Sequence, residues 1–393
     1  MLVRKRSVFA SIVLAMCMSG LALPAHAASA TIKVSGSTQY KPDERRTATI
    51  SGRLTNPTKS RAVYLQRRAA GVGNFAKVAT SKTGKNGAYS FKVAVPSTTV
   101  SYDYRVWGAA KKAKYAAQYV PSAAPWKKIT FTNSWTLKFN DNFNSFDSTK
   151  WGYRQSGTRL APSRTRSMSH PRAADVKSGT MQVRVHNATT SDHKKLGEYT
   201  QNEWANHPSP RYINGHVSTE NKFSFKYGIA AARIKFAKTR GQHGSFWLQP
   251  IAGTSGDEID IVEFFGNGYS KSGIKGGLAH FIHSPAKGKI GGMVDSRKRL
   301  GKSTPYSGYH VYSVDWTPQR YVFRVDGFVV KTLNRATSNV PHFLILSQLT
   351  SDWELAEKDK KSDLKKAFKN EVDNGGAKTQ VDWVRVWQVP SMS

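Results

Sequence analysis

Cysteine is almost absent: Cys17 is the only one in 393 residues. It lies in a stretch expected to be removed, so the mature chain can build neither a disulfide nor a thiolate metal site, and its stability must come from large apolar cores. Long apolar runs are equally scarce. The one candidate, Val8–Leu23, is shorter than a typical membrane span and is broken by Ser11, Ser19 and Gly20. Basic Arg4-Lys5-Arg6 precedes it and Ala25-His26-Ala27 follows, which predicts a secretory signal over residues 1–27, an extracellular protein, and no membrane span in the mature form. Cys17 sits mid-run before Met18, which excludes a lipoprotein signal. Acids are the third scarcity, with 25 Asp and Glu against 60 Lys and Arg, a formal charge of +35 that falls to +32 once Arg4, Lys5 and Arg6 are lost. That excess predicts salt-sensitive attraction to polyanions such as cell-wall or matrix polymers, without defining a specific nucleic-acid site.

Against that scarcity, four acids crowd into Gly256-Asp257-Glu258-Ile259-Asp260-Ile261-Val262-Glu263-Phe264-Phe265-Gly266. The β-branched and aromatic residues between them predict a strand. Its side chains alternate faces, so Glu258 and Asp260 share one face while Ile259 and Ile261 enter a core and Asp257 sits at the strand mouth. Glu263 has the wrong parity. One extra residue, a β-bulge at or near Ile261-Val262, returns it to the face of Glu258 and Asp260. Three like charges on one face repel and contribute nothing to folding. With one ionised as nucleophile and another kept protonated as acid, they suit cleavage of a glycosidic bond, and Asp260 is placed to tune Glu258 by sharing a proton or hydrogen bond. The alternative is an edge strand with a solvated acidic face.

The rest of the chain predicts an all-β protein in two parts. Residues 31–120 alternate apolar and polar positions over Thr47–Thr55, Ala62–Arg67, Phe75–Thr80, Ala88–Val95 and Tyr102–Trp107, with turn signals at Asn56-Pro57 and Gly84–Gly87. This spacing suggests an immunoglobulin- or fibronectin-like β-sandwich. Its Tyr64, Tyr89 and Trp107 are either sugar-stacking rings or core. Residues 121–127 form a Pro- and Ala-containing linker, and a second domain covers 128–390. The basic stretch Arg154–Arg172 is expected to be a long loop, and the charged stretch Glu354–Asn370 an inserted helix lying on the sandwich, with Lys360, Lys361, Lys365 and Lys366 as a possible anion-binding face.

The Glu258–Glu263 string E-I-D-I-V-E resembles the bulged E-x-D-x-x-E signature of family 16 glycoside hydrolases, a group that includes laminarinases, lichenases, agarases and carrageenases. The likeness continues through Leu137–Phe143 with Trp151, Tyr212–Phe236, Gly241–Pro250, Gly276–His283, Tyr309–Gly327 and Val381–Gln388. It implies a concave concanavalin-like β-jelly-roll and endo-hydrolysis of a polysaccharide by a monomer with retention, Glu258 being the nucleophile, Asp260 its assistant and Glu263 the acid/base. It also implies substrate-binding roles for Trp247 as a sugar platform, Arg233 as a partner of sugar hydroxyls or of a carboxylate, His283 beside the carboxylates, and Trp353 as a subsite ring. Core packing of Trp247 and a structural ion pair at Arg233 are the alternatives. His280 and His283 are an odd number of residues apart, so only one faces the cleft, and His283 is preferred. Two departures stand out: His243 where members often carry Trp-Pro, and Ser347 where they often carry Asn. No cofactor is required, although relatives bind a structural calcium on the convex side. The substrate implied first is a β-1,3-glucan; the charge suggests an anionic, sulfated or uronic, glycan instead, and a lectin-like binder without activity is the other alternative.

Overall fold

The computed structural model describes residues 31–55, 60–110, 116–120, 126–154, 167–192, 212–267, 270–271, 274–275, 277–295, 300–301, 303–335, 337–351, 355 and 362–390. The expected signal over 1–27 and most of the loop after Arg154 lie outside them. By its contacts the chain forms two compact units. One comprises residues up to Gly36, Ala48–Val93 and Ser101–Thr130; the other comprises Ser37–Thr47, Ala94–Val100 and everything from Phe131. Two short loop segments inside the stretch expected to be a single module thus belong to the second unit.

The first unit holds β1 (Lys33–Gly36), β2 (Thr47–Arg53), β3 (Ala62–Ala69), β4 (Val72–Lys82), β5 (Ala88–Ala94), β6 (Val100–Gly108), β7 (Gln118–Val120) and β8 (Lys127–Phe131). They form a three-stranded sheet, β1-β2-β5, and a sheet in the order β4-β3-β6-β7, with β8 also pairing β6. Period-two alternation sends Ala48, Ile50, Val63, Leu65, Tyr89, Phe91, Tyr104 and Val106 into its interior.

The second unit continues with β9 (Thr136–Asp141), β10 (Gly152–Tyr153), β11 (Ser167–Ser169), β12 (Ala174–Lys177), β13 (Thr180–Asn187), β14 (Tyr212–Ser218), β15 (Gly228–Lys235), β16 (Gln242–Pro250) and β17 (Glu258–Phe264). Then follow β18 (Ser270–Lys271), β19 (Ile274–Lys275), β20 (Leu278–Ser284), β21 (Gly288–Val294), β22 (His310–Thr317), β23 (Arg320–Val325), β24 (Phe328–Asn334), β25 (His342–Thr350), helix α1 (Ser362–Asp373) and β26 (Lys378–Gln388). Twelve of these strands run in one path, β21-β20-β17-β16-β25-β14-β13-β26-β15-β22-β23-β24, with β9 to β12 pairing beside it and β18-β19 a separate two-stranded sheet. At β13 the path turns from one layer to the other: Met181–Arg184 pair with β26, whereas Val185–Asn187 pair with β14. The result is a nearly closed jelly-roll sandwich. Phe246, Leu248, Ile259, Ile261, Val262 and Ile282 from the first layer meet Ala230, Ile234, Tyr312, Val314, Trp316, Phe323 and Val384 from the second in one core. Helix α1 is more than a solvated insert, because Phe368 and Val372 are buried with Leu355, Val185 and Tyr212.

The start of β17 is tied down from below. Asp257 is buried, accepts a hydrogen bond from the Tyr321 hydroxyl at 2.8 Å, and lies 3.6 Å from Arg335. The same hydroxyl accepts from the Ser338 N–H at 2.9 Å, and His342 Nε2 lies 2.6 Å from the Asp257 carbonyl oxygen. Tyr321→Phe keeps the ring in the core but strips a partner from both Asp257 and Ser338. The expected loss is about 1–3 kcal/mol, read as a lower urea midpoint at constant slope; an unchanged midpoint would show that Asp257 needs no such anchor.

Candidate active site

Each side chain of the site can be placed by counting along three adjacent strands. On β17 the register against β16 runs Phe246↔Val262 and then Trp247↔Asp260, skipping Ile261; against β20 it runs Asp260↔Phe281 and then Glu263↔Ala279. Both neighbours therefore see one extra residue at Ile261-Val262, the bulge anticipated from the sequence. Its physical cause is visible in the packing: Ile261 and Val262 are both wholly buried, so consecutive side chains satisfy the core, and Glu263 emerges on the face of Glu258 and Asp260.

Each carboxylate has a partner from a neighbouring strand. Gln249 Nε2 donates to Glu258 Oε2 at 2.8 Å, and Gln249 Oε1 in turn accepts from Arg154 Nη2 at 2.5 Å. His283 Nε2 lies 3.2 Å from Asp260 Oδ2. His243 Nε2 lies 2.7 Å from Glu263 Oε1, its ring stacked on Phe265 with centroids 4.5 Å apart. The partner of Asp260 is thus His283 rather than Glu258. A cavity of about 460 Å³ opens beside Glu258, lined also by Gln249, Pro250, His283 and Lys289.

Burial is the main force on Asp260, and with the adjacent charge of Glu263 it pushes the carboxyl up to about 8, while the His283 hydrogen bond opposes the rise. The same hydrogen bond raises His283. These two directions compete for one proton, because an ionised Asp260 is what holds His283 charged. The rise on Asp260 governs, since its side chain is 7% exposed between two other acids whereas that of His283 is 40% exposed. At neutral pH the array then carries fewer negative charges than its composition suggests, which lowers the cost of packing three acids on one face. His280 is different in kind: wholly buried, with Nδ1 2.6 Å from the Ile261 carbonyl oxygen at the bulge, it is pushed by burial down to about 4.

The other expected site residues divide. Trp247 lies on the carboxylate face, half-buried, while its neighbours Phe246 and Leu248 fill the core; its Nε1 donates to Ser347 Oγ at 3.1 Å and Arg154 sits 5.5 Å from its ring. His283, not His280, stands beside the carboxylates. Arg233 is a correction. It belongs to β15 in the other layer, donates to Asp382 Oδ2 at 2.6 Å and stacks 4.7 Å from Tyr309, so it serves a local ion pair and is not brought to the acids. Trp353 lies outside the described residues. Gln249 and Arg154 were missed, although counting by two from Trp247 reaches Gln249. Glu258, Asp260 and His283 each present an atom within 4.8 Å of the others, the one such three-residue group among the described residues able to surround a cation. On the opposite sheet, for which the resemblance implies a calcium, Asp315, Asp326 and Asp382 are paired with Lys41, His310 and Arg233.

Fold and site together define a jelly-roll sandwich with a carboxylate cluster on a bulged inner strand. The model for glycosyl hydrolases family 16 matches residues 172–385, and the chain belongs to that family. The keratan-sulfate endo-1,4-beta-galactosidase of Sphingobacterium multivorum is 28% identical over 280 residues, 67% of this chain and 57% of that protein. Glucan endo-1,3-beta-glucosidase A1 of Niallia circulans is 25% identical over 211 residues, 52% of this chain and 28% of that protein. The matches therefore span little more than half of these relatives at most. Among solved structures, the endo-beta-1,3-glucanase of Pyrococcus furiosus superposes with a TM-score of 0.50 at 19% identity, covering 65% of this chain and 95% of that one. The laminarinase catalytic domain of Thermotoga petrophila does so with 0.50 at 18%, covering 65% and 98%. At these identities the structures establish the shared fold.

The raised Asp260 gives a signed expectation. Its folded value lies above the unfolded one, so the folded state holds the extra proton between about pH 4 and 8, and stability falls as pH rises through that window. Asp260→Asn removes this titration. Urea midpoints at pH 5 and pH 8 should differ less in the variant than in the parent chain; parallel pH dependence would mean Asp260 is ionised throughout.

Proposed function

We propose that this protein is an endo-acting, retaining glycosidase that cleaves internal linkages of a polysaccharide by double displacement. Glu258 attacks the anomeric carbon while Glu263 protonates the departing oxygen; Glu263, then ionised, deprotonates the water that releases the glycosyl group. Gln249 holds the attacking carboxylate in place, and His243 holds Glu263. Trp247 offers a flat apolar face to pyranose C–H groups. Asp260, kept neutral by burial, separates the two glutamates without adding charge. The observation that carries this reading is the bulge, which places Glu263 with Glu258 on one face at the expense of a broken ladder.

A neutral β-1,3-glucan is the first substrate on family grounds, and the Niallia relative is named for that linkage. A specific observation supports an anionic glycan as the second: Lys289 lines the cavity beside Glu258, and the relative matched over 280 residues is named for keratan sulfate. Secretion is part of the proposal, supported by the Arg4–Ala27 sequence pattern. An immunoglobulin-type first unit is supported by its strand order, β1-β2-β5 against β4-β3-β6-β7, which parallels the A-B-E and C-F-G sheets of that fold.

Reducing-end release from laminarin, lichenan, agarose, keratan sulfate and chondroitin sulfate tests both parts. The parent chain should cleave one class; Glu263→Gln should lose about 10²–10⁴-fold in kcat, and Glu258→Gln should fall to background. Binding without cleavage across the whole panel would make the protein a lectin, and a Glu258→Gln variant with parental activity would remove the proposed nucleophile.

A further inference from the structure

The five-stranded sheet of the first unit carries an unusual outer face. Val63, Leu65, Tyr104 and Val106 point inward and are buried. The alternating positions of β3 and β6 project the other way, opposed in the register Tyr64↔Trp107, Gln66↔Arg105 and Arg68↔Asp103. The Tyr64 and Trp107 rings stack with centroids 5.1 Å apart and an interplanar angle of 25°. The Arg105 guanidinium lies 4.1 Å from the ring centre of Phe75 on β4 and 4.3 Å from that of Tyr119 on β7, so it is sandwiched across the width of the sheet. Arg68 repeats the pattern at 4.8 Å from Phe75 and 4.1 Å from Trp126. Lys77 completes the row 5.5 Å from Tyr64.

Burial in a core does not explain these rings, because the face looks outward: Tyr119 is 46% and Trp126 37% exposed. Each exposed cation–π contact contributes only about 0.5–1 kcal/mol, enough to hold the guanidinium planes in position but a weak reason to keep Tyr119 and Trp126 exposed beside the half-buried Tyr64, Phe75 and Trp107. Asp103 neutralises Arg68, and Arg105 has its Nε satisfied by Gln66 Oε1 at 2.8 Å. No carboxylate pairs with Arg105 or Lys77 among the described residues, so the plate presents positive charge between flat apolar surfaces.

We infer that this face is a second glycan-binding site, separate from the carboxylate cluster, and that its ligand is an anionic polysaccharide bearing sulfate or carboxylate groups. Ring faces accept pyranose C–H groups, while the guanidinium edges and Lys77 accept the anionic substituents. Three strand spacings, about 14 Å, give room for several sugar rings, and the +35 charge of the chain adds long-range attraction. Arginine and aromatic side chains also suit single-stranded nucleic acid. Here, however, the chain belongs to a family of glycosyl hydrolases, whose ligands are glycans, and this favours a polysaccharide over a nucleic acid. The inference does not depend on the assignment of Glu258 and Glu263.

The test uses the full mature chain in affinity electrophoresis with chondroitin sulfate, heparin, laminarin and a single-stranded oligodeoxynucleotide. Trp107→Ala and Arg105→Gln should each weaken retention by chondroitin sulfate or heparin about tenfold while changing laminarin little. Arg105→Lys, which keeps the charge but loses the planar fork, should fall between parent and Arg105→Gln. Lys365→Gln/Lys366→Gln on α1 removes two charges from elsewhere and should matter far less. Arg105→Gln alters an outward side chain, so it remains informative if Trp107→Ala unfolds the unit. Equal losses for Arg105→Gln and the lysine control would reduce the effect to net charge and overturn the site. Tighter, Arg105-dependent retention of the oligodeoxynucleotide would overturn the choice of ligand.

Discussion

The site depends on one local departure from regularity, the extra residue at Ile261-Val262. An unbroken strand from Glu258 to Phe264, with Glu258 and Asp260 on the cleft face, would deliver Glu263 into the apolar interior, where an ionised carboxylate is prohibitively costly, and would expose Val262. The bulge avoids both by burying two adjacent hydrophobic side chains. It has a second consequence. The Ile261 carbonyl oxygen, displaced from the regular ladder, is met by buried His280, so an imidazole from β20 supports the irregularity from within the core.

Crowding three carboxylates has an electrostatic cost that the neighbouring strands offset residue by residue. Strand β16 contributes His243 and Gln249 to the two glutamates, and β20 contributes His283 to the aspartate. Burial of Asp260 completes the arrangement by favouring its neutral form. The two glutamates are thereby given different surroundings: Glu258 faces an amide donor and a cavity that includes Lys289, and Glu263 an imidazole stacked on an aromatic ring. Distinct environments for two chemically identical groups are what a nucleophile and an acid/base require.

Much of this was legible in the sequence because it is local. The alternation of Glu258–Phe264, its parity fault and the remedy follow from period two alone, whereas Trp247 was reached through family likeness with core packing left open. The choice between His280 and His283 rested on the same parity together with family likeness. What escaped was non-local. Arg233 occupies a strand of the right character, but nothing in β15 itself reveals that it pairs with β22 and β26 in the other layer. His243 read only as a departure from a Trp-Pro pattern; its contact with Glu263 depends on the register of two strands after the bulge. Membership of Ser37–Thr47 and Ala94–Val100 in the second unit likewise follows from tertiary contacts and not from composition.

The most direct measurement of the central claim is the anomeric configuration of the first product, followed by proton NMR during hydrolysis of a cleaved polymer before mutarotation equilibrates it. Double displacement through Glu258 and Glu263 predicts that the new reducing end appears first in the configuration of the bond that was broken. Initial appearance of the opposite anomer would mean that water attacks directly, and would contradict the role assigned to Glu258.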